Sequence, residues 1–187
     1  MNGILIKNSE SLELGDKIKT VIFDKTGTIT EGKPKVYSVF VNGINEDEFI
    51  KIIASLELRS EHPLAKAVVD YSKITRRDSY QIDDFESYAG FGLTGKVNGN
   101  KIVIGNKQLM EQHSVKTEEL TKKENKFLKL GKTVVFAAIR NELKGLIAIE
   151  DPIKLGAEES IRKKKLLNLK TVMLTGDNKF SAEYVAE

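Results

Sequence analysis

The stretch from Lys19 to Glu31 places the strongest constraint on the fold of this chain. It begins with the apolar run 21–23, Val-Ile-Phe, whose branched and aromatic residues favour a β-strand. The run breaks abruptly into a polar turn, residues 24–28, with the sequence Asp-Lys-Thr-Gly-Thr. A buried strand that delivers a carboxylate to its C-terminal end is typical of active sites in open α/β sheets. The stretch therefore predicts an α/β fold with Asp24 at the functional edge of its sheet.

The residues of this turn suit phosphate chemistry. Lys25 beside Asp24 favours the ionised carboxylate, which could act as a nucleophile. Thr26, Gly27 and Thr28 add hydroxyl and backbone N–H groups that can hold phosphate oxygens. The alternative is a purely structural strand end, at which Asp24 caps the following turn.

Composition excludes several classes of function. The 187 residues are 40% hydrophobic and 30% charged, which is ordinary for a globular protein with one or two cores. Thirty basic and 27 acidic residues give a net charge of +3, too slight to indicate nucleic-acid binding. The absence of cysteine excludes disulfides and thiolate metal sites. The longest apolar run, 134–139, is far shorter than the ~20 residues of a membrane helix.

A second segment, residues 33–145, has a different pattern. After the turn 31–34, residues 35–41 alternate as a strand, and residues 45–58 show helical spacing behind a capping Asn45. A further helix comes next, with Ser60 as its predicted N-cap and Pro63 in its first turn. His62, next to that proline, could stack on or hydrogen-bond an adenine ring, or it could be an ordinary structural histidine.

The glycine-rich region 80–105 resembles two nucleotide-binding motifs without satisfying either. Gly90, Gly92 and Gly95 fit G-x-G-x-x-G, and residues 90–96 fit the start of a P-loop. The P-loop fails at Val97, where a hydroxyl should hold Mg²⁺, and residues 96–104 have the pattern of strand, turn and strand rather than of a helix. These glycines therefore predict an antiparallel sheet. Later segments predict a surface helix within 115–130 and strands at 133–139 and 143–149.

The last segment returns to the pattern of the first. Asp151-Pro152 precedes a helix over 156–167 that carries the basic run 162–165, which we interpret as a solvated face. A strand over 170–174 then leads to Thr175-Gly176-Asp177, whose hydroxyl and amide groups could stabilise charge on a phosphoryl group.

Residues 24–30, D-K-T-G-T-I-T, are similar to the phosphorylation motif of P-type ATPases, the ion pumps of the haloacid dehalogenase-like superfamily that form an aspartyl-phosphate. Soluble phosphatases of that superfamily usually carry a second Asp where this chain has Thr26, which cannot serve as a general acid or base. The resemblance therefore implies a persistent phosphoenzyme, as in a pump.

Residues 60–67, S-E-H-P-L-A-K-A, resemble the nucleotide-binding signature of heavy-metal pumps, with copper as the leading candidate ion. The resemblance implies an ATP site at Glu57, His62, Gly90, Gly92, Asn106 and Asp151, of which Asp151 also helps to hold the hinge between the domains. It also implies a catalytic site at Asp24, Lys25, Thr26, Thr175, Gly176 and Asp177, with Asp177 orienting its loop or reaching the nucleotide ribose. Mg²⁺ would be bound by Asp24 and the Thr26 carbonyl.

The expected fold is a haloacid dehalogenase-like α/β phosphorylation domain, residues 1–32 and 146–187. An α+β nucleotide-binding domain built on an antiparallel sheet, residues 33–145, is inserted into it. A G-D-G-x-N-D loop and a lysine of the family do not come after Asp177, so the chain is expected to be a truncated fragment that binds ATP but turns it over weakly.

The implied partners are an actuator domain, transmembrane helices and a heavy-metal ion bound outside the fragment, on the cytoplasmic side of the cell membrane. The alternatives are a dehalogenase-like phosphatase and a nucleotide-binding module without turnover.

Overall fold

The computed structural model describes residues 15, 17–176 and 179–186. The strands are β1 (Thr20–Asp24), β2 (Lys35–Val41), β3 (Ile82–Tyr88), β4 (Gly92–Val97), β5 (Asn100–Gly105), β6 (Thr133–Ile139), β7 (Glu142–Glu150) and β8 (Lys170–Leu174). The helices are α1 (Glu46–Glu57), α2 (Pro63–Ser72), α3 (Lys107–Gln112), α4 (Thr121–Lys129), α5 (Ala157–Leu166) and α6 (Lys179–Ala186). In the described ranges, none of these helices is long and apolar enough to span a membrane.

Two sheets organise the fold. β1 and β8 form a parallel pair, and the other six strands form an antiparallel sheet in the order β2-β7-β6-β5-β4-β3. The parallel pair joins the first and last segments of the chain, which confirms an α/β unit interrupted by an antiparallel insert. The predicted boundary after residue 145 falls inside β7, which stays paired with β2, through a register shift between Val36 and Ser38, as far as the pair Lys35 and Glu150. The antiparallel unit therefore extends to about residue 150.

Helices cover both faces of the antiparallel sheet, because successive residues of a strand point to opposite faces. Ile102 and Ile104 of β5 pack with α1 and α2, around the fully buried Phe49 and Ile53. Val103, between them in sequence, packs on the other face with α3 and α4. Each of these side chains stabilises the sheet by about 2 kcal/mol through removal from water.

Local signals set the helix ends. The Asn45 side chain accepts a hydrogen bond from the Glu48 N–H at 3.2 Å, as expected of the N-cap of α1. The predicted N-cap of α2 was wrong: His62 caps it, and Ser60 instead accepts a hydrogen bond from the His62 N–H. The proline at the first helical position fixes this later start.

Candidate functional site

The Asp24 carboxylate and the loop after β8 lie at the same edge of the parallel sheet. Asp24 pairs with Leu174, so Thr175 and Gly176 come directly beside the nucleophile loop. Parallel neighbours are about 4.8 Å apart, which brings the two loops within reach of one phosphoryl group. Asp24 is exposed there and open to a reactant. The structure thus brings together the candidate nucleophile and two residues of its predicted phosphate clamp, whereas Asp177 lies outside the described residues.

The loop after Asp24 is held by hydrogen bonds around a buried threonine. Gly27 has a φ of 75°, a left-handed conformation suited to glycine. Its N–H donates to the Thr30 hydroxyl at 3.3 Å, and its carbonyl accepts from the Lys154 ammonium group. Thr30 is fully buried. The loop is therefore fixed before any ligand arrives, which favours it as a rigid phosphate cradle.

Lys25, next to Asp24 in sequence, points into the fold. Its side chain is buried, and its ammonium group donates to the Ser181 hydroxyl at 3.2 Å. Burial lowers the Lys25 pKa, and the nearby negative charge of Asp151 partly offsets that effect. Among the described residues no ion pair joins Lys25 to Asp24. Lys25 thereby connects the loop after Asp24 to α6, and its expected place in the catalytic site stays a prediction.

Asp151 holds the connection between the two sheets. Its Oδ2 accepts from the Thr30 hydroxyl at 2.5 Å, and its Oδ1 accepts from the Lys33 N–H at 3.1 Å. The outgoing and returning chain segments also form a bridge between Thr30 and Ile153. Asp151 does not line the cleft that contains the other residues predicted to bind nucleotide. Its observed contacts are those of a hinge residue.

That cleft, of about 680 Å³, lies beside the antiparallel sheet and reaches Gly176 in the loop after β8. Its lining includes the other five residues predicted to bind nucleotide: Glu57, His62, Gly90, Gly92 and Asn106. They come from the end of α1, the start of α2, the β3–β4 loop and the start of α3. The cleft therefore connects these residues with the loop that follows β8.

Glu57 is the most perturbed acid of the cleft. Only 6% of its surface is exposed, and burial raises the pKa of its carboxyl from 4.5 to about 7. It therefore exists in both protonation states near neutral pH. A carboxyl in that condition can either donate or accept a hydrogen bond to the edge of a base.

His62 lies at the mouth of the cleft with its ring orientation fixed. Its Nδ1 accepts from the Leu64 N–H at 3.2 Å, so the neutral imidazole carries its proton on Nε2. The ring is exposed and can contact a ligand while capping α2. The sequence missed this capping role.

The glycine-rich loop is built by close backbone contact. Gly92 has a φ of 144°, and a Cβ there would lie 2.1 Å from the Ile104 carbonyl oxygen. The Asn106 side chain donates to the Gly90 carbonyl at 3.1 Å and accepts from the Leu109 N–H at 3.0 Å. Asn106 therefore both caps α3 and holds the loop, which leaves a wall of bare backbone along the cleft.

The residues present fit a metal ion that binds together with a phosphate-containing ligand. Across the described ranges, no group of three acidic, histidine or cysteine side chains could form a metal site. The Asp24 carboxylate and the Thr26 carbonyl would leave most of an octahedral Mg²⁺ shell to phosphate oxygens and water, which is how this ion is usually held beside phosphates.

Sequence reasoning missed the wall of the cleft that comes from α4 and the strands. Tyr88, Glu124 and Leu128 line it, together with Val134 and Phe136 of β6. The heptad spacing of the buried Leu120 and Phe127 was the available signal that α4 packs inward and is not simply a surface helix.

Comparisons with known proteins agree on the type of domain. A family model described as haloacid dehalogenase-like hydrolase matches residues 18–187. A copper-exporting P-type ATPase of Legionella pneumophila is 39% identical over 185 residues, which is 99% of this chain and 25% of that protein. The chain thus spans about a quarter of the length of the curated relatives it matches.

Solved structures show the same arrangement. A zinc-transporting PIB-type ATPase in its E2.Pi state superposes with a TM-score of 0.77 at 31% identity, over 99% of this chain and 30% of that one. The catalytic domain of the CPx-ATPase CopB-B superposes with a TM-score of 0.68 at 26% identity, over 97% of this chain and 64% of that one.

Proposed function

The chain belongs to the haloacid dehalogenase-like hydrolase family, and we propose that it is the ATP-binding and phosphorylation region of a heavy-metal-transporting P-type ATPase. In this proposal Asp24 accepts the γ-phosphate of MgATP as an aspartyl-phosphate. The observation that carries it is the cleft in which Glu57, His62 and the glycine loop lie on the same cavity as Gly176.

Each residue that lines the cleft has a role in this proposal that follows from its position. Glu57 and His62 bind the base, and the bare backbone at Gly90 and Gly92 lets the nucleotide lie close to the sheet, held by Asn106. The phosphates then extend toward the edge where Asp24 and the 175–176 loop meet. Cleft residues thereby orient the γ-phosphate for in-line attack, which is the main contribution a protein makes to phosphoryl transfer.

At that edge one bond forms and one breaks. A carboxylate oxygen of Asp24 bonds to the γ-phosphorus, while the bond to the bridging oxygen breaks and its electron pair leaves with ADP. Thr175 and the Gly176 amide stabilise the charge on the transferred group. A Mg²⁺ bound with the phosphates would neutralise part of that charge.

Thr26 distinguishes this proposal from a phosphatase. It lies in the nucleophile loop where a second carboxylate would otherwise activate water, and a threonine hydroxyl cannot take up a proton near neutral pH. The aspartyl-phosphate therefore persists until another part of the protein, an actuator domain, promotes its hydrolysis.

The wider context is proposed on the same basis. Residues 1–32 and about 151–187 form the phosphorylation domain on the cytoplasmic side of the membrane, with the nucleotide-binding domain between them. Transmembrane helices of the same protein would carry the metal ion. Copper is favoured because curated relatives are named for its export.

Calorimetry with MgATP tests the nucleotide site. Wild type is expected to bind, and His62→Ala to bind roughly tenfold more weakly through loss of one polar contact. His62→Asn separates binding from folding, because asparagine still caps α2 but lacks the ring. Asp24→Asn should bind normally. No ATP binding, or equal binding by His62→Asn and wild type, would refute the site.

A further inference from the structure

A contact between α6 and the antiparallel unit lies outside the cleft and the catalytic edge. The side chain of Tyr184 on α6 packs against Gly131, which precedes β6. A Cβ on Gly131 would lie 2.5 Å from Cγ and Cδ1 of the Tyr184 ring. Gly131 also has a φ of 68°, so both its conformation and its bare surface suit glycine. The loop is thus shaped to receive an aromatic ring from the other unit.

The next residue strengthens this contact electrostatically. Only 9% of Lys132 is exposed, and its ammonium group lies 4.6 Å from the ring centre of Tyr37 and 5.4 Å from that of Tyr184. The same group forms an ion pair with Glu150 at 2.5 Å. The Lys132 ammonium group therefore connects α6 with β2 through cation–π contacts, and with the end of β7 through an ion pair.

One helical turn before Tyr184, the same helix contacts the nucleophile loop. Ser181 accepts from the buried Lys25, and Thr30, five residues beyond Lys25, is bonded to Asp151. Asp151 comes directly after the Glu150 that pairs with Lys132. These contacts run continuously around the hinge. Helix α6 contributes the part of this network that does not come from the two chain segments connecting the units.

We propose that α6 is a bracket that holds the nucleotide cleft closed onto the phosphate loop, with Tyr184 as its positioning residue. The two units are connected by two adjacent chain segments, which meet at the bridge between Thr30 and Ile153. Such a connection allows one unit to rotate relative to the other about these segments. The Tyr184 contact with Gly131 and Lys132 adds a third attachment, so opening the cleft must break it. The inference rests on the proposed function, because it assigns the closed state to ATP binding.

Spin-label distances test the bracket without requiring activity. The chain contains no cysteine, so Asp70→Cys on α2 and Glu158→Cys on α5 give one label on each unit, both at exposed positions. We expect one narrow distance distribution in wild type. Tyr184→Ala should broaden it toward longer or several distances, and Tyr184→Phe should restore the wild-type distribution because it keeps the ring.

Glycine variants provide a matched control. Gly131→Ala should broaden the distribution because its Cβ displaces the Tyr184 ring. Gly43→Ala should not, since Gly43 has nearly the same φ, 66°, but nothing within 4 Å of an added Cβ. The two glycine variants therefore have similar backbone strain, but only Gly131→Ala places a Cβ against the Tyr184 ring. In the double variant with Tyr184→Ala, Gly131→Ala should add nothing to the broadening.

Calorimetry links the bracket to the cleft. Tyr184→Ala should bind MgATP roughly three- to tenfold more weakly, because part of its population is open before binding. Distances that stay at the wild-type value in both Tyr184→Ala and Gly131→Ala would overturn the proposal, as would Tyr184→Phe behaving like Tyr184→Ala. If wild type binds no ATP but its distances still depend on Tyr184, the ATP function fails and the bracket stands.

Discussion

Replacing Glu57 by glutamine should change how the stability of the fold depends on pH. Glu57 ends α1 against the base of the cleft with 6% of its surface exposed, and burial raises its pKa to about 7. The unfolded chain loses this proton near the ordinary value of 4.5. The folded state therefore keeps a proton that the unfolded state releases, and stability falls as pH rises between those two values.

The size of the effect is set by the two pKa values. Their separation corresponds to a destabilisation of about 3 kcal/mol above pH ~7 and to none below pH ~4.5. Between about pH 5.5 and about pH 8.5, wild type should lose about 2 kcal/mol that Glu57→Gln retains. Glutamine keeps the shape and hydrogen-bonding groups of the protonated acid without a titratable proton.

Urea denaturation at these two pH values measures the difference directly. The comparison is the stability of wild type minus that of the variant at each pH, which cancels the titration of all other groups. Glu46→Gln is the control on the same helix, because Glu46 is exposed and its carboxylate is solvated in both states. Parallel loss of stability by wild type and Glu57→Gln would refute the reasoning that burial governs this carboxyl.

The cleft and the hinge give three further expected outcomes. Gly92→Ala should cost about 3 kcal/mol in the unfolding free energy, because its Cβ meets backbone, whereas Gly99→Ala, with a φ of 74° and open space, should cost about 1 kcal/mol. Asn106→Ala should lower the melting temperature by the loss of a cap worth about 1 kcal/mol, and calorimetry should show weaker ATP binding. Asp151→Ala should destabilise the fold by about 2 kcal/mol, because the buried Thr30 hydroxyl and the Lys33 N–H both lose a charged acceptor, and an unchanged unfolding free energy in urea would show that Asp151 does not hold the hinge.

Much of this architecture was predictable because local signals and motifs coincided. The apolar run before Asp24 and the strand before Thr175 predicted two elements whose parallel pairing then brings both loops to one edge. The pattern of strand, turn and strand over residues 96–104 predicted the β4–β5 hairpin, and its turn residues Asn98 and Gly99 both have the positive φ that such turns require. Those inferences succeeded because they depend on neighbours in sequence.

The failures involve partners distant in sequence. The burial of Lys25 and its contact with Ser181, far along the chain, were not predicted. The α6 contact with Gly131 was not predicted, since a glycine–lysine pair before a strand is also an ordinary turn. Likewise, no periodicity could show that Glu57 is buried enough to raise its pKa, because burial depends on how separate elements pack around its side chain.

The hinge also lowers the entropic cost of inserting the antiparallel unit into the α/β unit. Lys35 and Glu150 face each other across one antiparallel pair, so the chain leaves and returns about 5 Å apart. A flexible loop of roughly a hundred residues would cost about 3 kcal/mol more to close than one of roughly four residues. Because the insert folds with its two ends close together, it connects the flanking segments of the α/β unit as a tight turn would. A short linker from residue 34 to residue 151 could therefore replace the entire antiparallel unit without changing the register of β1 and β8.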